Sequence, residues 1–210
     1  MQQLKPRLAH LGMAAGCLAL MACENSGQER NFERLEEYAG ILATARTAEP
    51  ADLTGVTGTA TYRGVGFGEF PAADAVADGD GGGGARYSAT SDVTLTADFT
   101  GGTLSGEMTD WTPEDPLNYT MRGKVLISEG DIAPDGTFTA KVSGAVEREA
   151  TARLIDSRGG PDPSIPDSYL YGFNTDAEGT FHDGLDGARA SHVIGSFDGA
   201  GVSGGFVAKQ

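Results

Sequence analysis

The chain has 210 residues and carries 30 acidic against 15 basic side chains, a formal charge of −15 at pH 7. That balance argues against nucleic acid as a partner, because neutralising phosphate needs a basic face, and it offers no polybasic attraction to anionic lipid. Glycine supplies 32 residues, about twice its usual share. Each Gly in a helix interior costs roughly 1 kcal/mol relative to Ala, so an all-helical fold is excluded. A turn-rich all-β chain is expected instead.

Residues 1–22 form an address. Lys5 and Arg7 open it, no acidic residue follows, and Leu8 to Ala22 are apolar or small apart from His10. The apolar run is shorter than the ~20 residues that span a bilayer, and its layout is that of a secretory signal peptide. The junction Leu20-Met21-Ala22-Cys23 resembles the lipobox of bacterial lipoproteins. That resemblance implies cleavage after Ala22, a diacylglycerol on the Cys23 thiol and a fatty acyl group, palmitate or similar, on the new amino terminus. Cys17 and Cys23 are the two cysteines of the chain, so the mature protein would hold a single thiol at its first position and no internal disulfide. Several acyl chains anchor firmly, since each buried methylene adds about 0.8 kcal/mol. Glu24 follows, where Asp is the usual inner-membrane retention signal, so the outer membrane is the expected location.

Beyond the anchor, Ser26 to Ala48 reads as a short helix. Ser26 and Glu29 stand at capping-box spacing, and Phe32, Leu35, Ala39 and Leu42 fall on one helical stripe. Tyr38, Ile41 and Ala45 widen that stripe, while Glu33, Arg34, Glu36, Glu37 and Arg46 would face water. Pro50 ends the helix. Such a helix is expected to pack against the following domain or plug it.

From Thr57 the period changes to two. Strands are expected at Thr57–Arg63, Val93–Phe99, Leu104–Trp111, Lys124–Ser128 and Thr137–Val146. Three more follow near Gly179–Asp183, Ser191–Asp198 and Val202–Lys209, eight in all. Gly101-Gly102 and Asp135-Gly136 mark hairpin turns. One face of the curved sheet is then buried and the other wet, with Phe99, Phe138 and Phe206 inside. Two segments, Gly68–Gly84 and Ile155–Asp176, are too long for hairpin loops and are expected to be functional.

Few residue groups carry chemistry. His182 beside Asp183 could suggest an acid–base pair, but neighbours on a strand point to opposite faces. Ser105 lacks the spacing of a nucleophile elbow. Two histidines, His182 and His192, do not make a zinc site. Asp74, Asp78 and Asp80 could attract calcium, yet an EF-hand loop from Asp78 would need a carboxylate where Ala89 stands. No cofactor, metal site or enzymatic activity is therefore expected. The acidic residues Asp74, Asp78, Asp80, Asp162 and Asp167 are candidates for a partner-binding rim, which would favour a basic protein or a cation. Trp111, Tyr169 and Tyr171 are expected near strand ends as packing residues or anchors.

Three closing segments, Gly179-Thr-Phe-His-Asp-Gly184, Ala190-Ser-His-Val-Ile-Gly-Ser-Phe197 and Gly201-Val-Ser-Gly-Gly-Phe-Val-Ala-Lys209, resemble the last strands of the transferrin-binding protein B β-barrel family. Tyr87, Leu95 to Phe99, Gly102 to Gly106 and Gly136 to Phe138 match its preceding strands. The resemblance spans about residues 57–210, and it implies a surface lipoprotein. It departs from the family at Val207, where Gly is preferred, and in holding one barrel rather than two lobes. The expected organisation is a signal peptide over 1–22, then anchor, short helix and linker over 23–56. An eight-stranded antiparallel up-and-down barrel over 57–210 completes it. The expected function is a lipid-anchored module that binds a protein or small ligand, in nutrient or metal acquisition. An integral outer-membrane barrel and a small barrel enzyme are the alternatives.

Overall fold

A computed structural model describes residues 11–71, 86–116, 118–150, 168–199 and 201–210, with side chains from Gly27 onward. One helix, α1 (Leu11–Thr47), precedes eight strands: β1 (Thr59–Pro71), β2 (Arg86–Asp98), β3 (Thr103–Pro113), β4 (Tyr119–Ile132), β5 (Thr137–Ala150), β6 (Ser168–His182), β7 (His192–Gly199) and β8 (Val202–Lys209). Each strand pairs antiparallel with the next, and β8 pairs back onto β1. The expected eight-stranded up-and-down barrel is the fold. The strands run longer than their hydrophobic cores suggest. β6 begins at Ser168, so residues 168–176 are strand and not loop, and β1 absorbs Gly68 to Pro71.

An eight-stranded barrel is just wide enough inside for side chains to fill, and here rings share that room with glycines. Phe138, Gly179, Gly195, Phe206, Gly66 and Ser91 are successive partners across β5, β6, β7, β8, β1 and β2. All six point inward on one layer. Phe138 and Phe206 are stacked, with centroids 6.2 Å apart and planes 25° apart. They lie over the two glycines between them, and a Cβ on Gly179 or Gly195 would run into their rings. Phe99, expected inside with them, is only partly buried. It sits beyond the end of β2 and caps the lumen against the ring of Phe181, 5.5 Å away.

The end of the barrel near Phe99 is stoppered by the linker between α1 and β1. The Ala51 amide donates to the Phe181 carbonyl and the Leu53 amide to that of Pro134, both at 2.9 Å. Tyr62, wholly buried, donates its hydroxyl to the Ala190 carbonyl at 2.5 Å. At the opposite end, open among the described residues, lie the strand termini that flank residues 72–85 and 151–167.

Helix α1 crosses the outside of the wall over β3, β2, β1, β8 and β7; it does not plug the lumen. Its backbone is continuous through Ser26, so the capping-box residues do not start it. The inward stripe is Asn31, Arg34, Tyr38, Ile41 and Ala45; the last three belong to the expected stripe, while at its start Asn31 and Arg34 take the place of Phe32 and Leu35. Phe32 is 62% exposed and Leu35 41%, whereas Arg34 is 5% exposed. Arg34 donates from Nε and Nη2 to Asp92 Oδ1 at 2.9 and 2.6 Å, and from Nη1 to the Asp110 carbonyl at 2.7 Å and Thr112 Oγ1 at 2.8 Å. Arg30 pairs with Asp110 beside it. A buried charge is tolerated only when hydrogen-bonded and paired, and these contacts meet that condition. Farther along, Ile41, Ala45, Val65 and Val207 are buried between helix and wall.

The packing of rings on glycines generates one test. Phe206→Ala is expected to cost about 3–5 kcal/mol, and Gly195→Ala about 1–3 kcal/mol by overpacking. Combined, they should cost less than their sum, because the ring that Gly195 accommodates is gone. Denaturant melts of the four proteins check this, and strict additivity would contradict it.

A second test concerns pH. Burial pushes the Tyr62 hydroxyl up to about 12, against a smaller opposing pull from Gln210. The folded state therefore holds this proton more tightly than the unfolded chain does. The stability it contributes is complete below pH 10 and is lost as pH rises towards 12. Thermal melts should show that loss, and Tyr62→Phe should make it shallower.

Candidate binding site at the open end of the barrel

The inward alternation of β5 runs Phe138, Ala140, Val142 and Val146, and then places Arg148 in the lumen near the open end. Arg148 is 4% exposed. Its guanidinium carbon lies 3.9 Å from the ring centre of Tyr87 on β2 and 4.5 Å from that of Tyr119 on β4. Arginine over tyrosine faces gains cation–π attraction, which is stronger where water is excluded. The guanidinium Nη1 has no hydrogen-bond partner among the described residues.

Aromatic side chains extend this site around the mouth. Phe70 on β1 packs on Trp111 of β3, with centroids 5.7 Å apart, and on Tyr171 of β6, 4.9 Å apart. Tyr169 and Tyr171 follow at 4.7 Å, and Phe173 closes the floor. Burial pushes the Tyr171 hydroxyl up to about 12, opposed by the nearby charge of Arg148. Tyr119 is also shifted upward, mainly by burial and next by Tyr87. These hydroxyls therefore stay protonated through the physiological range. Trp111 is buried, and its Nε1–H, like Arg148 Nη1, lacks a partner among the described residues. Buried polar groups are almost always paired, so two orphaned donors in one aromatic mouth mark a place able to receive an acceptor.

A bulge in β3 aims Trp111. Thr112 pairs with Thr90 and Thr109 with Asp92, so two residues of β3, Asp110 and Trp111, oppose Ser91 alone. Asp110 takes φ 59°, the left-handed region, which Asp tolerates better than most residues. Before the bulge, even-numbered residues such as Met108 face inward; after it, Trp111 does.

Most residues singled out from the sequence fall elsewhere. Asp74, Asp78, Asp80, Asp162 and Asp167 lie outside the described residues. The backbone of Cys23 lies within α1, and its side chain is outside the described set. Trp111 and Tyr171 are buried mouth residues and Tyr169 is partly buried there. His182 and His192 are cross-strand neighbours on the outer wall towards the stoppered end. His192 is pushed below its ordinary value by burial, with Lys209 and His182 adding to the shift. Asp183 instead accepts the Ala190 amide at 2.8 Å. Ser105 is an exposed residue of β3. An outer-wall groove of about 650 Å³ holds Glu129, Lys141, Asp176, Glu178 and Asp198, but Lys141 and Asp176 pair with each other.

Arg148, Tyr87 and Tyr119 escaped the sequence reading. The signal for Arg148 is a charge at an inward position of an otherwise apolar alternation. Its two tyrosines sit on strands far away in sequence.

No protein-family model matches the chain, and a comparison with curated proteins gives no match. Two solved structures are similar to it. Intact Ap-TbpB, with N and C lobes, has a TM-score of 0.43 at 16% identity over 80% of this chain and 28% of that one. The isotype 1 transferrin binding protein B of serogroup B Neisseria meningitidis has a TM-score of 0.38 at 18% identity over 78% of this chain and 27% of that one. The chain thus spans under a third of the length of those proteins. Its barrel is similar to a transferrin-binding protein B barrel, at a distance and in fold.

Proposed function

We propose that this protein is a lipid-anchored binding module of the outer membrane, held by acylated Cys23, whose ligand is received at the open end of the barrel. The observation that carries the binding reading is the pair of buried donors, Arg148 Nη1 and Trp111 Nε1, without partners among the described residues and within an aromatic mouth. A cationic fork and an indole N–H both call for an acceptor, and the rings around them favour a flat apolar body. The chemistry fits a small carboxylate, free or borne by a protein side chain. Asp74, Asp78, Asp80, Asp162 and Asp167 are kept as candidates for a separate partner contact, one that favours a basic protein or a cation.

The outer wall argues for a barrel kept in water. Arg63, Glu107, Lys124, Glu147 and Glu178 point outward along the strands. A barrel crossing a bilayer needs an apolar outward band instead. An enzymatic role gains no support from the described residues of the mouth, which supply donors and rings but no nucleophile next to a base.

Anchoring is tested by the intact mass of the membrane form, which should start at Cys23 and carry added acyl mass. A chain that starts elsewhere would contradict it. Binding is tested through Trp111, the single tryptophan of the chain, whose emission reports on the mouth. Titration with benzoate should give a saturable change, weaker by at least about tenfold in Arg148→Met, the equivalent of one 1.4 kcal/mol interaction. The neutral analogue benzamide should give little. Equal responses in wild type and Arg148→Met would contradict the assignment.

A further inference from the structure

Helix α1 fixes which end of the barrel meets the membrane. Gly27 and the C-terminal end of the helix lie at opposite ends of the barrel. At one, Gly27 packs against Pro116 in the connection between β3 and β4, on the open side. At the other, the Asp183 amide donates to the Glu49 carbonyl and Pro50 bridges to His182, on the stoppered side. Between them, contacts descend the wall: Asn31 meets Thr90, Arg34 meets Asp92 and Thr112, and Tyr38 meets Phe67. The buried Arg34 ion pairs prevent the helix from swinging freely.

Cys23 precedes Gly27 by four residues. As helix, that is roughly 6 Å, and fully extended at most about 14 Å. The barrel is roughly 30–40 Å tall for strands of this length and tilt. An acyl anchor on Cys23 can therefore reach the open rim and not the stoppered one. We infer that the open end of the barrel faces a zwitterionic bilayer and that the stoppered end points away. This inference rests on the anchoring of Cys23 proposed above.

One further feature fits that surface. Phe32, Leu35 and Leu170, at 62%, 41% and 67% exposure, are large apolar side chains on the half of the molecule nearest the open rim. The occupant is a zwitterionic surface, not an anionic one, because Glu114, Glu147 and Glu149 lie towards the same end and the chain carries −15 overall.

The test uses the acylated full chain in phosphatidylcholine vesicles that contain a nitroxide-headgroup lipid. With Cys17 removed and Cys23 acylated, a new cysteine labels uniquely. Leu170→Cys, near the open rim, and Leu185→Cys, 72% exposed just beyond β6 at the stoppered end, each receive a bimane fluorophore. The label at position 170 is expected to be quenched several-fold more strongly than that at 185. Stronger quenching at 185, or equal quenching at both, overturns the orientation. Vesicle flotation and intact mass separate the causes. Acylated protein that floats without preferential quenching at 170 defeats the orientation alone. Protein without acyl mass that fails to float defeats the anchoring reading and the orientation with it.

Discussion

One extra residue in β3 ties the two faces of this molecule together. The bulge at Asp110 and Trp111 changes which side chains face inward, and its two residues then serve opposite tasks. Outside, Asp110 offers its carbonyl to Arg34 and its carboxylate to Arg30, which locks the helix onto the wall. Inside, Trp111 enters the mouth against Phe70. Bulges commonly re-aim side chains near barrel rims. Without this one, an alternation continued from Met108 would send Asp110 towards the lumen and Trp111 towards the helix, and both arrangements would fail.

The barrel is also unequal from end to end. Its middle is filled by rings laid over glycines, as with Phe138 and Phe206 above Gly179 and Gly195. One end is closed by Ala51 and Leu53 through backbone hydrogen bonds. The other carries Arg148 between two tyrosines, with donors that the described residues leave without partners. A guanidinium that only filled space would be replaceable by an apolar side chain at little loss. The proposed binding site is placed at the open end because of this asymmetry, and the helix relates that end to the proposed lipid anchor.

Much of the fold was legible in the sequence because a half-buried strand reveals itself by alternation. Phe138 and Phe206 could be placed inside from their neighbours alone, and Asp135-Gly136 marked its hairpin. The start of the helix stripe was misplaced for a physical reason, while Tyr38, Ile41 and Ala45 were placed on it correctly. Hydrophobicity chose Phe32 and Leu35, while the structure buries Asn31 and Arg34 because Asp92, Asp110, Thr90 and Thr112 await them on the wall. Nothing local to the helix announces those partners. Arg148 was missed in the same way, since its tyrosines come from β2 and β4. The start of β6 was missed because Ser168 to Asp176 mixes polar and aromatic residues behind three prolines, a pattern that also describes a loop.

The central claim is that the donors in the mouth await an acceptor from outside the chain. A high-resolution crystal structure of the mature protein tests it most directly. The account predicts an ordered ion, carboxylate or other non-protein acceptor within hydrogen-bond distance of both Arg148 Nη1 and Trp111 Nε1. Finding both donors satisfied by carbonyls or carboxylates of the same chain would contradict it.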